Sequence, residues 1–82
     1  MTAMGSDMDW QPLESKMFLS AAYDAERQIL YLRFRSQDVY RYFEFPDDRY
    51  QEFLNAESRG RYFLSNIRDL FRHERMAKLR VA

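Results

Sequence analysis

The chain has no cysteine, one histidine, two glycines and two prolines among its 82 residues. Each scarcity removes a class of function. Without cysteine there is no disulfide framework, no thiolate metal site and no cysteine nucleophile. His73 alone cannot assemble a multi-histidine metal site. Gly5 and Gly60 lie far apart, so there is no glycine-rich phosphate loop, and no serine–histidine pairing with a plausible third member is visible. The carboxylate pairs Asp47-Asp48 and Asp24/Glu26 fall at a helix start and in a turn, neither with a positioned base or metal partner. No apolar run approaches the ~20 residues of a membrane span, and the start lacks the basic-then-apolar order of a secretory signal. The expectation is a soluble, cytoplasmic chain with no membrane partner, no cofactor, no metal and no catalytic activity.

Aromatic side chains are abundant: seven Phe, six Tyr and one Trp. A chain this short lies near the lower size for a core without staples, and each buried aromatic removes roughly 150–250 Å² from water. Net charge is zero, with 13 basic and 13 acidic residues, but the charges are segregated. Residues 1–58 hold 6 Lys/Arg against 11 Asp/Glu, a net of −5, and residues 59–82 hold 7 against 2, a net of +5. Such polarity lets the C-terminal third face a polyanion while the whole stays soluble. The competing reading is that these arginines solvate the outside of a helix.

Residues 1–9 are polar and aperiodic and read as a flexible lead, with the folded domain over 10–73 and a basic tail or helix extension over 74–82. The tract from Lys16 to Tyr23 reads as a first strand, ending in a turn at Asp24-Ala25-Glu26-Arg27. Ile29 to Arg35 alternates, Leu30, Leu32 and Phe34 on one side, and reads as a second strand with one face in the core. A tight Ser36-Gln37 loop then leads to a third strand, Asp38 to Phe45. A two-residue loop sets Phe34 opposite Val39, Arg33 opposite Tyr40 and Tyr31 opposite Tyr42. That register collects Tyr31, Arg33, Arg35, Tyr40 and Tyr42 on one face, and a slip of one residue would scatter them.

Pro46 suits a helix start, with Asp47 and Asp48 at the positive end of the dipole, and Tyr50, Phe53 and Leu54 form an apolar stripe. Ser58 is the expected N-cap of a second helix, whose stripe is Phe63, Ile67, Leu70 and Phe71. The fold class expected is α+β, a three-stranded antiparallel β-meander followed by two short helices.

These residues, in this order, resemble the KTSC domain, a family of small modules found alone in bacterial proteins and at the C-terminal end of some lysyl-tRNA synthetases. The resemblance rests on Ser15 and Phe18, Tyr23-Asp24, Leu30-x-Leu32-x-Phe34, Tyr40-x-Tyr42, Pro46 with Tyr50, Ser58-x-Gly60-Arg61-Tyr62-Phe63 and Ile67-Arg68. It spans about residues 14 to 70. Lys16 stands where a second serine is common, Gln37 where glycine is frequent in the turn, and Leu64 where a polar residue is usual. The resemblance implies no established activity, and RNA binding is only a suggestion attached to the family.

Two surfaces emerge as candidates. At the start of the second helix, the free N–H groups of Arg59, Gly60 and Arg61, with Ser58 and two guanidiniums, would receive a phosphate or carboxylate. If the helix continues, Arg61, Arg68, Arg72 and Arg75 make a basic stripe along it. The structural alternative is a helix that Ser58 simply caps. The second surface is the Tyr31, Arg33, Arg35, Tyr40, Tyr42 face, where rings would stack on bases and guanidiniums would take phosphates. Cross-strand pairs of these residues also stabilise a hairpin with no ligand at all. The leading function is a non-catalytic module contacting RNA or tRNA, or another polyanion, through Ser58, Arg59, Gly60, Arg61, Arg68, Arg72, Arg33, Tyr40 and Tyr42. The alternative is a protein partner, or self-association, at an exposed strand edge or aromatic patch.

Overall fold

The computed structural model describes residues 9–76. Most of the expected lead and tail, residues 1–8 and 77–82, lie outside the described residues. In chain order the elements are β1 (Gln11–Pro12), β2 (Phe18–Asp24), β3 (Ile29–Phe34), β4 (Val39–Tyr42), α1 (Asp47–Asn55), α2 (Arg59–Asn66) and β5 (His73–Met76). The class is α+β, but the sheet has five strands in the order β1-β2-β3-β4-β5, all antiparallel, where three were expected. The two additional strands are the edges. β1 is two residues long and contains Pro12, which an edge strand tolerates because it need donate on one side only. β5 is exposed along most of its length, so its residues carry no alternation to announce a strand.

β2 solves a spacing conflict. Phe18 and Ala21 are an odd number of residues apart and would point to opposite faces of a regular strand. Phe18 pairs with Phe34 and Ser20 with Arg33, which leaves Leu19 as a bulge. The extra residue turns Phe18 onto the face of Ala21 and Tyr23. At the end of β2, Asp24 Oδ1 accepts from the backbone N–H groups of Glu26 and Arg27, both at 3.1 Å, the turn expected there.

The β3–β4 hairpin departs from expectation by one residue. Phe34 N donates to Asp38 O and Gln37 N to Phe34 O, both at 2.9 Å, and Gln37 adopts φ 81°. This is a three-residue loop, Arg35-Ser36-Gln37, in which a tight turn is completed by a left-handed residue. The register is therefore Leu30↔Tyr42, Tyr31↔Arg41, Leu32↔Tyr40 and Arg33↔Val39. Tyr40 and Tyr42 share a face with Leu30 and Leu32, while Tyr31 and Arg33 share the opposite face with Arg41. The single Tyr/Arg face is thus split between the two sides of the sheet.

Both helices cover the side that holds Phe18, Ala21, Leu30, Leu32 and Tyr42. Pro46 precedes α1 with Asp47 and Asp48 in the first turn, and Tyr50 and Phe53 are its buried residues. Phe18 is the hub, with ring centroids 5.0 Å from Phe34, 5.7 Å from Phe53 and 5.4 Å from Phe63. Phe18, Phe45, Phe53, Leu30, Leu32 and Ile67 are fully buried, each contributing about 1.5–3 kcal/mol of gross burial. Tyr50 stacks on Tyr23 at 4.7 Å, and the Tyr23 hydroxyl donates to Phe45 O, tying β2 to the segment that enters α1.

α2 ends at Asn66, and the backbone N–H groups of Ile67 and Arg68 both donate to Phe63 O. The chain then turns back to the sheet, so residues 74–76 of the segment expected as a basic tail or helix extension lie in β5 (His73–Met76). Leu70, expected on the buried stripe, is 65% exposed as a result. Phe71 still reaches the core, 4.7 Å from Phe45.

Candidate nucleic-acid interface

Because α1 and α2 lie on one side, the other side of the sheet has no helix over it among the described residues. Alternation from the observed register sends Ser20, Ala22, Tyr31, Arg33, Val39, Arg41 and Glu74 to that side. Trp10, just before β1, lies against it, its ring 6.4 Å from Tyr31 and beneath the Arg33 guanidinium at 5.2 Å. At the far side Phe43 continues the row. Arg72 lies over its ring at 4.3 Å and Arg41 at 5.5 Å. Three guanidiniums are thus laid on aromatic rings, an arrangement worth about 0.5–1 kcal/mol per pair at exposed sites.

The charges on this face are unequal. Arg41 Nε donates to Glu74 Oε1 at 2.7 Å, with Nη2 on the same oxygen, and this pairing, with a smaller contribution from Tyr31, holds Arg41 more firmly in its charged form. Asp24, at the end of β2, is matched by Arg27 at 3.1 Å, and the backbone donors of Arg27 and Glu26 help hold its carboxyl below the usual range. Arg33 and Arg72 have no carboxylate within ion-pair distance among the described residues. The face therefore retains positive charge beside the half-buried rings of Trp10, Tyr31 and Phe43, with Ala22 and Val39 buried between them.

The residues expected to act at α2 are placed differently. Ser58 Oγ accepts from Arg61 N at 3.2 Å, the expected cap. Arg59 is turned away from the helix start, its Nη2 donating to Leu54 O at 2.6 Å. Gly60 lies beside Met17, but a Cβ added there would meet the Met17 Cε at an ordinary 3.5 Å, so packing does not require glycine. Arg61 remains exposed at a shallow groove of about 540 Å³ shared with Lys16, Met17 and Gly60.

The expected basic stripe does not exist, because the helix stops before Arg68. Arg68 sits in the following turn, Arg72 is on Phe43, and Arg75 on β5 bonds Asp38 Oδ1 at 3.0 Å. Arg35 is also committed, its Nε donating to Ser15 O at 2.8 Å.

Tyr40 and Tyr42 face the helices with His73. Tyr42 is 2% exposed and contacts Phe63 and His73 at 5.8 and 5.2 Å, so its ring is not available to a base. Burial pushes its hydroxyl pKa well above the ordinary tyrosine value. Tyr40 is half-buried between Phe34 and His73, at 5.5 and 5.9 Å. These rings, with Met17, Leu64 and Arg68, line a second groove of about 450 Å³.

Of the expected site, only Arg33 and Arg72 lie on the helix-free face, one over Trp10 and the other over Phe43. Trp10, Arg41 and Phe43 were missed. One signal pointed to Arg41 and Phe43, though not to Trp10: Gln37 occupies a turn position where glycine is frequent, and a left-handed residue there lengthens the loop and exchanges the faces of β4.

Among the described residues no helix is long and apolar enough to cross a membrane. Comparison with known proteins gives one consistent result. A protein from Tsukamurella paurometabola is 40% identical over 62 residues, covering 76% of this chain and 92% of that protein. A lysine–tRNA ligase from Trichormus variabilis is 36% identical over 55 residues, which span 67% of this chain and 10% of the ligase. The crystal structure of a KTSC domain protein from Yersinia pestis superposes with a TM-score of 0.82 at 34% identity, covering 85% of this chain and 99% of that one. The KTSC domain pattern itself matches residues 14–71, from the serine turn before β2 to the aromatic that closes the core after α2. With most of its length matched in both sequence and fold, the chain belongs to the KTSC domain family.

Proposed function

We propose that the chain is a non-catalytic binding module that holds single-stranded RNA, including the unpaired regions of tRNA, on the helix-free face of its sheet. The observation that carries this reading is the group Trp10, Arg33, Arg41, Phe43 and Arg72, in which three guanidiniums lie over two rings on the side of the sheet away from the helices. Rings offer stacking to any base, and the unpaired charges of Arg33 and Arg72 suit phosphates spaced along a flexible strand. Stacking beneath a guanidinium leaves its N–H edge free to bond a phosphate. The partial match to a lysine–tRNA ligase is in keeping with a module that accompanies tRNA.

Trp10 is the chain's one tryptophan, so its fluorescence reports on this face. Titration with unstructured RNA, tRNA and duplex DNA is expected to quench Trp10 with the single strand and tRNA and only weakly with the duplex. Arg33→Ala/Arg72→Ala is expected to weaken binding, and Arg61→Ala/Arg68→Ala to leave it nearly unchanged. The reading fails if no nucleic acid binds in a salt-sensitive way, or if the second pair of substitutions removes binding and the first does not.

A further inference from the structure

Among the described residues β5 is an edge of the sheet, and the geometry fixes which groups it offers there. In an antiparallel pair, residues that exchange hydrogen bonds alternate with residues whose N–H and C=O point the other way. Phe43 N donates to Arg72 O at 2.9 Å. Stepping by two along the register places Arg41↔Glu74 and Val39↔Met76 in the same bonded class. The N–H and C=O groups of His73 and Arg75 therefore point away from β4, outward from the sheet. Among the described residues no strand lies beyond them.

The same two residues turn their side chains toward the helix-covered side, as Tyr40↔Arg75 and Tyr42↔His73 show. His73 lines the 450 Å³ groove with Tyr40, Phe34, Leu64 and Arg68. Leu64 is 45% exposed there, a large apolar side chain with nothing over it among the described residues. An outward row of backbone groups thus runs beside an aromatic and aliphatic groove that ends in a cation, and both meet at His73.

We propose that this edge is a docking site for an extended peptide from a partner protein, added antiparallel to β5 as a sixth strand with one apolar side chain in the groove. The charges of β5 choose the rest of the peptide. Arg75 bonds Asp38 yet is 57% exposed, and favours a second acidic residue opposite it; Glu74 bonds Arg41 through Oε1 alone, and favours a basic residue on the other face; His73 favours the apolar residue beside Tyr40 and Leu64. Read along an antiparallel peptide, the order is acidic, basic, apolar. A second copy of the chain is a poorer fit. Self-pairing centred on β5 sets Glu74 against the other copy's Glu74, or Arg75 against its Arg75, and like charges directly opposite destabilise a pair. The groove is on the side opposite Arg33, where His73 and Arg75 project, and the peptide's basic residue alone reaches the RNA face, beside Glu74 and Arg41.

The probe is a Thr-Thr-Asp-Lys-Phe-Thr-Thr peptide titrated into the isotope-labelled full chain, followed by backbone amide shifts. The expected result is that the amides of His73 and Arg75 shift most, with Leu64 and Tyr40 following. N-methylating the peptide's Asp and Phe amides removes two donors and should weaken binding about tenfold or more. Exchanging Asp and Lys in the peptide should weaken it about threefold to tenfold, and Glu74→Lys/Arg75→Glu should reverse that preference. The N-methylated peptide tests the proposal on the unaltered protein even if the doubly substituted chain folds poorly. The proposal is overturned if the N-methylated peptide binds equally, if no shift appears at about 1 mM peptide, or if the shifts map away from β5. It is equally overturned if sedimentation shows a dimer that protects the His73 and Arg75 amides, since the edge then belongs to a second copy.

Discussion

If Arg33, Arg41 and Arg72 hold phosphates, RNA affinity must fall with salt by an amount their number sets. Binding to a single strand releases counterions, and the slope of log affinity against log salt is about −0.7 per phosphate neutralised. Arg33 and Arg72 carry unshared charge, whereas Arg41 shares its charge with Glu74. Two to three contacts give a slope of about −1.4 to −2.1, which means a loss of about 7-fold to 20-fold between 50 and 200 mM salt. Arg33→Ala/Arg72→Ala leaves at most one contact, so the slope should flatten to about −0.7 or less. Arg33→Lys/Arg72→Lys separates charge from stacking. The slope should stay near the wild-type value while affinity falls, because lysine keeps the charge without the planar group that lies on Trp10 and Phe43. Fluorescence anisotropy of labelled unstructured RNA across a salt series, with Trp10 quenching beside it, measures both quantities. A slope that does not change in the double alanine variant would refute the assignment of phosphates to this face. A slope that flattens in Arg61→Ala/Arg68→Ala instead would move the contact to the α2 side.

Four further outcomes test the fold that presents the face. Phe18→Ala removes the hub ring between Phe34, Phe53 and Phe63 and should cost about 3–5 kcal/mol by urea unfolding, a large share of the roughly 4–12 kcal/mol expected for a chain of this length. Gln37→Gly relieves a side chain at φ 81°, worth about 1–2 kcal/mol, against a glycine entropy cost of about 0.5–1. The net lies between about 0 and 1.5 kcal/mol, and its midpoint of about 0.75 kcal/mol should raise Tm by about 3–6 °C in calorimetry. Ser58→Ala loses the cap on Arg61 N and should cost about 1 kcal/mol of stability while leaving RNA binding intact. Burial raises the pKa values of Tyr23, Tyr42, Tyr50 and Tyr62, the last to about 12. The unfolded chain then ionises first, so this stability is complete below about pH 10 and is lost as pH rises through the folded values. Urea midpoints should fall steadily above pH 10, by up to ~1.4 kcal/mol per pH unit for a deeply buried tyrosine such as Tyr42. Unchanged midpoints to pH 12 would mean that these hydroxyls titrate freely.

Much of the fold was legible because its decisive features are local. The alternation of Leu30, Leu32 and Phe34, the proline before α1, the serine before α2 and the Asp24 turn each act within a few residues. What was not legible is what distant segments decide. β1 and β5 have no pattern of their own and exist because β2 and β4 present edges to be covered. The end of α2 was hidden by the Leu70 and Phe71 pair, which extends a helical stripe in sequence, whereas in the fold Phe71 reaches Phe45 from a turn.

The site shows how one residue in a loop redirects a whole surface. The expectation put aromatic and arginine side chains together on one strand face. Its membership depended on the parity of β4, and parity depended on Gln37. With two residues in the loop, Tyr40 and Tyr42 would lie outside beside Tyr31 and Arg33. With three they turn inward, where Tyr42 becomes core and Tyr40 a groove wall, and Arg41 takes the outward place. The exchange keeps the chemistry of the open face, because residues 40–43, from β4 into the residue after it, read Tyr-Arg-Tyr-Phe, and either parity brings out an aromatic or a cation. It also creates the second surface, since the inward tyrosines line the groove beside β5. A Gln37 variant that restored a two-residue loop would have to bury Arg41 among Leu30, Leu32 and Phe63. The cost of an unpaired guanidinium in that core is what holds the observed register in place.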